Sequence, residues 1–275
     1  MTFFLRRFRR HRQQQTRCLP PLNWVQPWWV HRWREQNQQI TIETPQSNKV
    51  ARSWTLLGNL ESLARIAVDR RGLVAARPGS WSVDWWLRVD DDWIFPSEHG
   101  AVRQRLIDGA PVVETVIRAA GGDLIHRVYA ARADSEYLIV EVDNQATRPV
   151  ALAWAIRPYD HLGGGRVENI GLEDRTLYVD GQVGLICGRT PGRLVTGSGG
   201  VDPALLLDKT EETPNSVVCE QGMASAALIT PLVHGADIPY EVPVTHPGSA
   251  VHQYTSSSCR SRAHLPVARC CNAAM

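Results

Sequence analysis

The stretch that decides the fold is Ala151-Leu-Ala-Trp-Ala-Ile-Arg157. In an extended strand, successive side chains point to opposite faces, so every second residue shares a face. Leu152, Trp154 and Ile156 therefore lie on one face, and three alanines lie on the other. This pattern predicts a strand that is buried on both sides, because small alanine side chains let another layer of structure approach closely.

Similar alternation and turn-forming residues flank this strand. Three further stripes of alternating residues are Leu138, Val140 and Val142; Val113, Thr115 and Ile117; and Leu124, His126 and Val128. Ala120-Gly-Gly-Asp123 and Asp180-Gly181 separate such runs and favour tight hairpins. No long amphipathic helix pattern falls between them. We therefore predict an all-β protein, an antiparallel β-sandwich of the supersandwich type, over residues 51–246.

The two ends of the chain lack this pattern. Residues 1–34 contain eight Arg and no Asp or Glu, although the whole chain has a net charge of only +2. We interpret residues 1–50 as a disordered basic extension rich in Arg, Trp and Gln, and residues 247–275 as an irregular tail. An alternative function for the extension is binding to single-stranded nucleic acid or to an anionic membrane surface, with Arg on phosphates and Trp on bases or at the lipid interface. A basic tail is common, and we expect no specific nucleic acid as a partner.

Composition excludes several classes of protein. The chain is 43% hydrophobic and 21% charged, which is typical of globular proteins. The longest nearly apolar run, Met223 to Val233, is well short of the roughly 20 residues that span a bilayer, so no membrane span is expected. Neither Lys49 nor Lys209 follows a Gly, which excludes a phosphate-binding loop of the G-x-x-x-x-G-K type. Six Cys without a C-x-x-C pair favour reduced thiols and a cytoplasmic location.

Four weak patterns each have a structural and a functional interpretation. Asp90-Asp91-Asp92 suits either a solvated turn or a divalent cation. The glycine-rich segments at 161–165 and 197–200 suit either hairpin loops or an anion cradle. Zinc-ligand residue types occur in the tail without the usual close spacing, at Cys259, His264, Cys270 and Cys271. Four carboxylates suit either polar strand faces or an acid/base pair, namely Glu114, Glu141, Glu168 and Glu173. The structural interpretation is favoured throughout, and we predict no metal or cofactor.

The most distinctive cluster is Ser80-Trp-Ser-Val-Asp-Trp-Trp86. Flat indole faces stack on sugar rings, and a neighbouring carboxylate accepts hydrogen bonds from sugar hydroxyls. The candidate carbohydrate-binding residues are therefore Trp81, Asp84, Trp85 and Trp86. The alternative is that period-two alternation buries the indoles as core side chains.

Several segments resemble one family of enzymes. Leu57-Gly-Asn-Leu60, the run from Asp69 to Gly72, the pair Asp84-Trp85 and the segment Ile156-Arg-Pro-Tyr159 are similar to the N-terminal domain of bacterial glucoamylase-like and trehalase-like glycoside hydrolases. The similarity covers about residues 54–190. It departs from the family by an insertion of roughly nine residues before Asp84-Trp85, whose pattern is otherwise matched.

The resemblance implies a β-sandwich that normally precedes an (α/α)6 barrel carrying the catalytic carboxylates. It therefore implies a non-catalytic, carbohydrate-associated domain, inactive alone, from a truncated or frame-shifted enzyme. No catalytic residue is carried over from the family. Its implied partner is a carbohydrate or the missing barrel. A free-standing carbohydrate-binding module is the alternative function.

Overall fold

Strands dominate the computed structural model, which describes residues 23–36, 54–58, 66–75, 81–132, 136–161, 163–209 and 214–243. One helix, α1 (Trp28–Gln36), precedes the strands. The first ten strands are β1 (Trp54–Leu57), β2 (Ile66–Asp69), β3 (Val74–Ala75), β4 (Ser82–Val89), β5 (Asp92–Ile94), β6 (Val102–Leu106), β7 (Val112–Ala119), β8 (Gly122–Arg132), β9 (Glu136–Asn144) and β10 (Val150–Arg157). The others are β11 (Tyr159–Asp160), β12 (Gly163–Gly164), β13 (Asn169–Glu173), β14 (Thr176–Val179), β15 (Gln182–Cys187), β16 (Arg193–Gly197), β17 (Ser216–Val218), β18 (Ser225–Leu232) and β19 (Asp237–Pro243), with a 3₁₀ helix at Pro203–Leu206.

The strands form two large antiparallel sheets. Sheet I has the order β1-β2-β3-β4-β10-β18-β16, with β5 paired to β4. Sheet II has the order β17-β13-β14-β15-β19-β9-β8-β7-β6. The two sheets pack as a sandwich, which confirms the predicted all-β, antiparallel class.

The deciding strand β10 lies in the centre of sheet I. It pairs with β4 on one side and with β18 on the other, and Trp154 lies directly across from Trp85. Leu152, Trp154 and Ile156 face sheet II in the main core. The Trp154 ring meets the ring of Tyr240, which comes from sheet II, at a centroid distance of 4.9 Å.

The alanine face of β10 is also covered, as the sequence predicts. Ala153 and Ala155 are fully buried in a second cluster that contains Trp86 and Leu207. The rings of Trp86 and Phe95 meet edge to face at 5.3 Å. The outer layer consists of side chains that pack over these alanines, namely Trp93 of β5, Phe95 after it, and Ala204 and Leu206 of the 3₁₀ helix.

The predicted hairpin turns are present. Asp180 and Gly181 alone connect β14 to β15, and both have positive φ, +50° and +72°. Two central residues with positive φ match the right-handed twist of the flanking strands. Gly121, between β7 and β8, also has positive φ, at +88°.

Part of the extension predicted to be disordered is instead packed on the sandwich. Trp24 and Trp29 are only 2% and 1% exposed and form a third apolar cluster with Tyr159. The Trp24 indole donates to the carbonyl oxygen of Gly200 at 3.0 Å. The prediction was wrong for residues 23–36 because their apolar residues do not alternate, and their burial depends on a partner surface far along the chain.

No helix in the described part of the chain has both the length and the apolar character needed to cross a membrane.

Truncating Trp29 tests this docked segment. We expect Trp29→Ala to lower the free energy of unfolding by about 3–5 kcal/mol, because a fully buried indole is removed from a packed cluster. Urea unfolding followed by circular dichroism measures the change. Leu56→Ala is the control, since Leu56 is 59% exposed, and should change the free energy by no more than about 0.5 kcal/mol. Equal effects of the two substitutions would show that the segment contributes no stability.

Candidate functional site

The tryptophan cluster singled out in the sequence is buried. Trp81 is 4% exposed, Asp84 is 2% exposed, and Trp85 and Trp86 are completely inaccessible. The prediction of an exposed sugar-binding surface at these residues is therefore wrong. The physical reason is that β4 is an interior strand of sheet I, covered by sheet II on one face and by the outer layer on the other.

Asp84 instead belongs to a buried ionic cluster. Its Oδ2 atom accepts hydrogen bonds from Arg157 Nη2 at 2.8 Å and from the Trp86 indole at 3.3 Å. Its Oδ1 atom accepts from the backbone N–H of Trp85 at 2.9 Å. Arg157 Nη1 lies 3.6 Å from Asp202 Oδ2. We call Asp84, Arg157 and Asp202 the Arg157 cluster.

The Arg157 cluster holds the N-terminal segment in place. Arg157 Nη1 donates to the carbonyl oxygen of Val25, and the backbone N–H of Val25 donates to Asp202 at 2.7 Å. The guanidinium lies 5.0 Å from the ring centroids of both Trp86 and Tyr159. Cation–π contacts of this kind add to the ion pairs when the cation is desolvated. Segments near residues 25, 84, 157 and 202 thus meet at one buried cation.

The guanidinium of Arg157 is the cation that lies beside two buried carboxylates, Asp84 and Asp202. Burial raises the pKa of Asp84 and of Asp202, and the charge of Arg157 only partly offsets this. For Arg157, burial opposes the charge, but Asp202 and Asp84 outweigh it and raise the pKa of the guanidinium. Arg157 therefore stays protonated, and the cluster depends on it.

Removing this cation should be costly. We expect Arg157→Met to lower the free energy of unfolding by about 3–5 kcal/mol at pH 7, because two carboxylates then lie buried without a cation. Because the charge of Arg157 lowers the pKa of both carboxylates, its removal raises their pKa further, and the folded variant retains protons that the unfolded state loses. The loss should therefore grow as pH rises above about 4. Chemical denaturation at pH 4 and pH 7 measures it. The control is Arg148→Met, which removes the half-exposed pair with Asp90; a loss no larger than this control at either pH would contradict the prediction.

An open cleft lies at one edge of the sandwich. It is bordered by the edge strand β1 of sheet I and the edge strand β6 of sheet II, and its volume is about 510 Å³. Volumes of this size are typical of small-molecule sites. Among the residues that line it are two tryptophans, three arginines and one glutamine: Trp28, Trp54, Arg70, Arg71, Gln104 and Arg105. We call this site the edge cleft.

The β2–β3 turn supports the base of the edge cleft. Asp69 Oδ1 accepts hydrogen bonds from the backbone N–H of Arg71 at 2.7 Å and of Leu73 at 3.0 Å. The Gln104 amide donates to the carbonyl oxygen of Asp69 at 2.6 Å and to the hydroxyl of Thr115 at 3.0 Å. These bonds link sheet I to sheet II, and they fix Arg70 and Arg71 at the cleft.

Gly72 is required in this turn. Its φ of +91° disfavours L side chains, and a Cβ atom there would lie 2.6 Å from Trp85 Nε1 and 2.9 Å from His126 Nδ1. The Trp85 indole donates to the carbonyl oxygen of Arg71 at 2.8 Å, and its ring stacks on His126 at 4.7 Å. The buried Trp85 therefore holds the backbone that carries the cleft arginines, Arg70 and Arg71.

Two titratable groups lie buried beneath the cleft. Burial, assisted by the charge of Asp84, raises the pKa of Asp69 from its ordinary value of 3.8 to about 7. Burial lowers the pKa of His126 to about 3, so this imidazole is neutral in the folded protein near pH 7. Neither group faces the solvent, since both are completely inaccessible. The protonation of Asp69 and His126 therefore affects the free energy of unfolding.

Asp69 should make stability depend on pH. Between pH 4 and pH 7 the folded state keeps a proton on Asp69 that the unfolded state has lost, so this group lowers the free energy of unfolding as pH rises. Asn has no such proton, and its amide oxygen can still accept both N–H bonds. We expect Asp69→Asn to gain stability relative to wild type between pH 4 and pH 8, by up to about 4 kcal/mol.

Denaturant unfolding across this pH range measures the difference between variant and wild type. The control is Asp91→Asn, at a side chain that is 99% exposed, and its difference from wild type should vary by less than about 1 kcal/mol. A difference for Asp69→Asn that stays constant with pH would contradict the assignment.

Glu114 and Glu141 form part of a charge ladder on the outer face of sheet II. Arg105, Glu114, Arg127 and Glu141 lie directly opposite one another on β6 to β9. The ion pairs of Glu114 measure 2.8 Å to Arg105 and 3.0 Å to Arg127. Burial opposes ionisation of Glu114, but hydrogen bonds from the two arginines outweigh it and hold its pKa below the usual range. Such a carboxylate stays charged at neutral pH and does not suit the role of a general acid.

The remaining sequence candidates lie in turns, on strands or outside the described residues. Asp90 and Asp91 form the turn between β4 and β5, and Gly163 and Gly164 pair as β12 in a small hairpin. Glu168 pairs with Arg166 at 2.7 Å. Within the part of the chain that the structure describes, no three His, Cys, Asp or Glu side chains come together as a metal site. Glu173 ends β13, Gly197 and Gly200 flank a bend, and Cys259, His264, Cys270 and Cys271 lie outside the described residues.

Sequence reasoning did not identify the edge cleft. Its residues come from α1, β1, the β2–β3 turn and β6, and no spacing along the chain connects them. The one local signal was Asp69-Arg-Arg-Gly72, a turn that carries two adjacent cations. The position of α1 and the pairing of sheet edges were needed to see what those cations face.

No protein-family model matches this sequence, and the search of curated proteins also returns no match.

Proposed function

We propose that this chain is a non-catalytic β-sandwich domain, related to the N-terminal domain of glucoamylase-type glycoside hydrolases, that associates with carbohydrate and with a catalytic barrel. The observation that carries the proposal is the Arg157 cluster. Asp84 and Arg157 belong to two separate segments on which the resemblance rests, and they meet as a fully buried ion pair at 2.8 Å. A shared structural role accounts for both segments.

Side chains around the cluster support a scaffolding role. Asp84, the carboxylate of the Asp-Trp pair that resembles the family pattern, is paired and buried, so it stabilises the sandwich and does not face a substrate. The candidate acid/base residue Glu114 is paired with two arginines. Hydrolysis of a glycosidic bond needs two carboxyl groups that flank the bond at a fixed separation in an open site. The catalytic pair is therefore expected on the partner barrel.

A free-standing carbohydrate-binding module is the second candidate, and the edge cleft favours it. Half-buried Trp28 and Trp54 line the cleft together with the polar side chain of Gln104. Sugar sites commonly combine an aromatic platform with a few polar groups that fix orientation. The two candidates agree on carbohydrate association and differ in whether a barrel is needed.

The structure gives less support to a nucleic-acid or membrane arm. Trp24 and Trp29 are buried against the sandwich, so they are not available to stack on bases or to enter a lipid interface. Residues 1–22 lie outside the described part of the chain. We further propose a cytoplasmic location, which is supported by Cys187 and Cys219, neither of which forms a disulfide.

The isolated chain should not hydrolyse α-glucosides or trehalose. We expect glucose release from maltotetraose and from trehalose to equal that of a blank, because hydrolysis needs an acid and a base that flank the bond, and the candidates Glu114 and Glu168 are paired with arginines. A coupled glucose assay with a commercial glucoamylase and a trehalase as positive controls measures this. Turnover that disappears on replacing a single Glu of this chain by Gln would contradict a non-catalytic role.

Carbohydrate association is tested separately by calorimetric titration with neutral and acidic oligosaccharides. Trp28→Leu should weaken saccharide binding several-fold, because it removes one aromatic surface of the cleft. Trp93→Leu is the matched control, since Trp93 is also half-buried but lies on β5, away from the cleft. If no saccharide of either class binds, carbohydrate association is wrong.

A further inference from the structure

We propose that the edge cleft binds an acidic saccharide, a sugar that carries a carboxylate or a phosphate, through Arg70 and Arg71. This inference rests on the proposed carbohydrate association and adds the chemical class of the ligand. The sugar rings would lie against Trp28 and Trp54, and the anionic group would accept hydrogen bonds from the guanidiniums.

The charge of the cleft is the first feature that favours an anionic ligand. Three of its lining residues are arginines, and only one of them is neutralised by a neighbour: Arg105, which pairs with Glu114 at 2.8 Å. Arg70 is exposed and forms no ion pair with any residue in the described ranges. Arg71 lies beside it, and none of the described lining residues is a carboxylate, so the described part of the cleft is positive.

The second feature that favours an anionic ligand is the environment of Arg71. Its Nη1 atom donates to the carbonyl oxygen of Val102 at 3.4 Å, which directs the guanidinium across the cleft toward β6. Burial lowers the pKa of Arg71, and the nearby Asp69 only partly offsets this. Because Asp69 is itself held largely protonated by burial below about pH 7, it is a poor counter-ion. A ligand anion would supply the charge that the protein does not.

The third feature that favours an anionic ligand is the rigidity of the β2–β3 turn. Arg70 and Arg71 follow Asp69, whose carboxylate accepts two backbone N–H groups, and the chain is then held by Gly72 packed on Trp85 and His126. The two guanidiniums therefore project from a backbone that is already ordered before a ligand arrives. Charge-assisted, bidentate bonds from arginine to carboxylate or phosphate benefit from such preorganisation.

The shape of the site favours a saccharide over a nucleic acid. Single-stranded nucleic acid binds along a positive groove that follows several phosphates. Here Arg70 and Arg71 lie together in one cleft of about 510 Å³, and the neighbouring outer face of sheet II alternates in charge from Arg105 to Glu114 to Arg127 to Glu141. This alternation interrupts any continuous basic path in that direction.

The experiment is isothermal titration of the full chain at fixed ionic strength with four probes. These are tetragalacturonate, glucose 6-phosphate, the neutral maltotetraose and a tetrathymidylate oligonucleotide. The variants are Arg70→Gln and the matched control Arg103→Gln, because Arg103 lies on β6, is 71% exposed and is absent from the cleft lining. Melting temperatures of both variants confirm that they fold.

We expect at least one acidic saccharide to bind about tenfold or more tightly than maltotetraose. Arg70→Gln should weaken that binding about tenfold or more, whereas Arg103→Gln should leave it within about twofold. The acidic probe that binds more tightly then identifies carboxylate or phosphate as the recognised group. Binding should also weaken as salt concentration rises.

Four results would overturn the inference. Equal binding of maltotetraose and the acidic probes would exclude an acidic preference while leaving carbohydrate association intact. Equal effects of Arg70→Gln and Arg103→Gln would place the anion outside the cleft. Oligonucleotide binding as tight as that of the acidic saccharides would favour a nucleic-acid site. Absence of binding to every saccharide would overturn both this inference and the carbohydrate association on which it rests.

Discussion

The ion pairs of Arg157 with Asp84 and Asp202 are the constraint on which the rest of the structure depends. A buried charge is costly unless it is paired, and the groups that pair with this guanidinium come from three distant parts of the chain. Asp84 lies on β4, Asp202 precedes the 3₁₀ helix, and Val25 belongs to the N-terminal segment. The contacts of Arg157 therefore hold β4 in register beside β10, and they keep the segment that carries α1 against the sandwich.

The same constraint reaches the cleft through the core. Asp84 is followed by Trp85, whose indole holds the carbonyl oxygen of Arg71 and whose ring stacks on His126. Asp69 lies in the same turn, and the charge of Asp84 contributes to its raised pKa. The buried polar groups between the sheets thus form one connected region, in which the position of a core tryptophan determines where two surface arginines project.

In this arrangement the residues that stabilise the fold differ from the residues that we propose to bind a ligand. The carboxylates Asp69, Asp84 and Asp202 are buried and act on stability, and Glu114 is paired within a charge ladder. In the edge cleft, most of the charged or amide side chains open to a ligand are arginines, and they lie beside half-buried tryptophans. The role that we propose for the edge cleft is therefore the binding of an anionic, partly flat ligand, whereas cleavage of a glycosidic bond would need an acid and a base.

The sequence by itself determined the strands, their turns and their class of packing. Alternation along 151–157 depends only on the geometry of an extended chain, and Asp180-Gly181 needs only local φ preferences, so both were predictable. The tertiary structure decided which tryptophans are buried, how Arg157 is paired and where the cleft lies. Trp81 and Trp85 have the same alternation whether their face meets water or another sheet, and Asp84 lies 73 residues from Arg157. Burial and charge pairing between such distant residues depend on strand order and on the docking of the N-terminal segment, because they are set by which surfaces meet and not by local conformation.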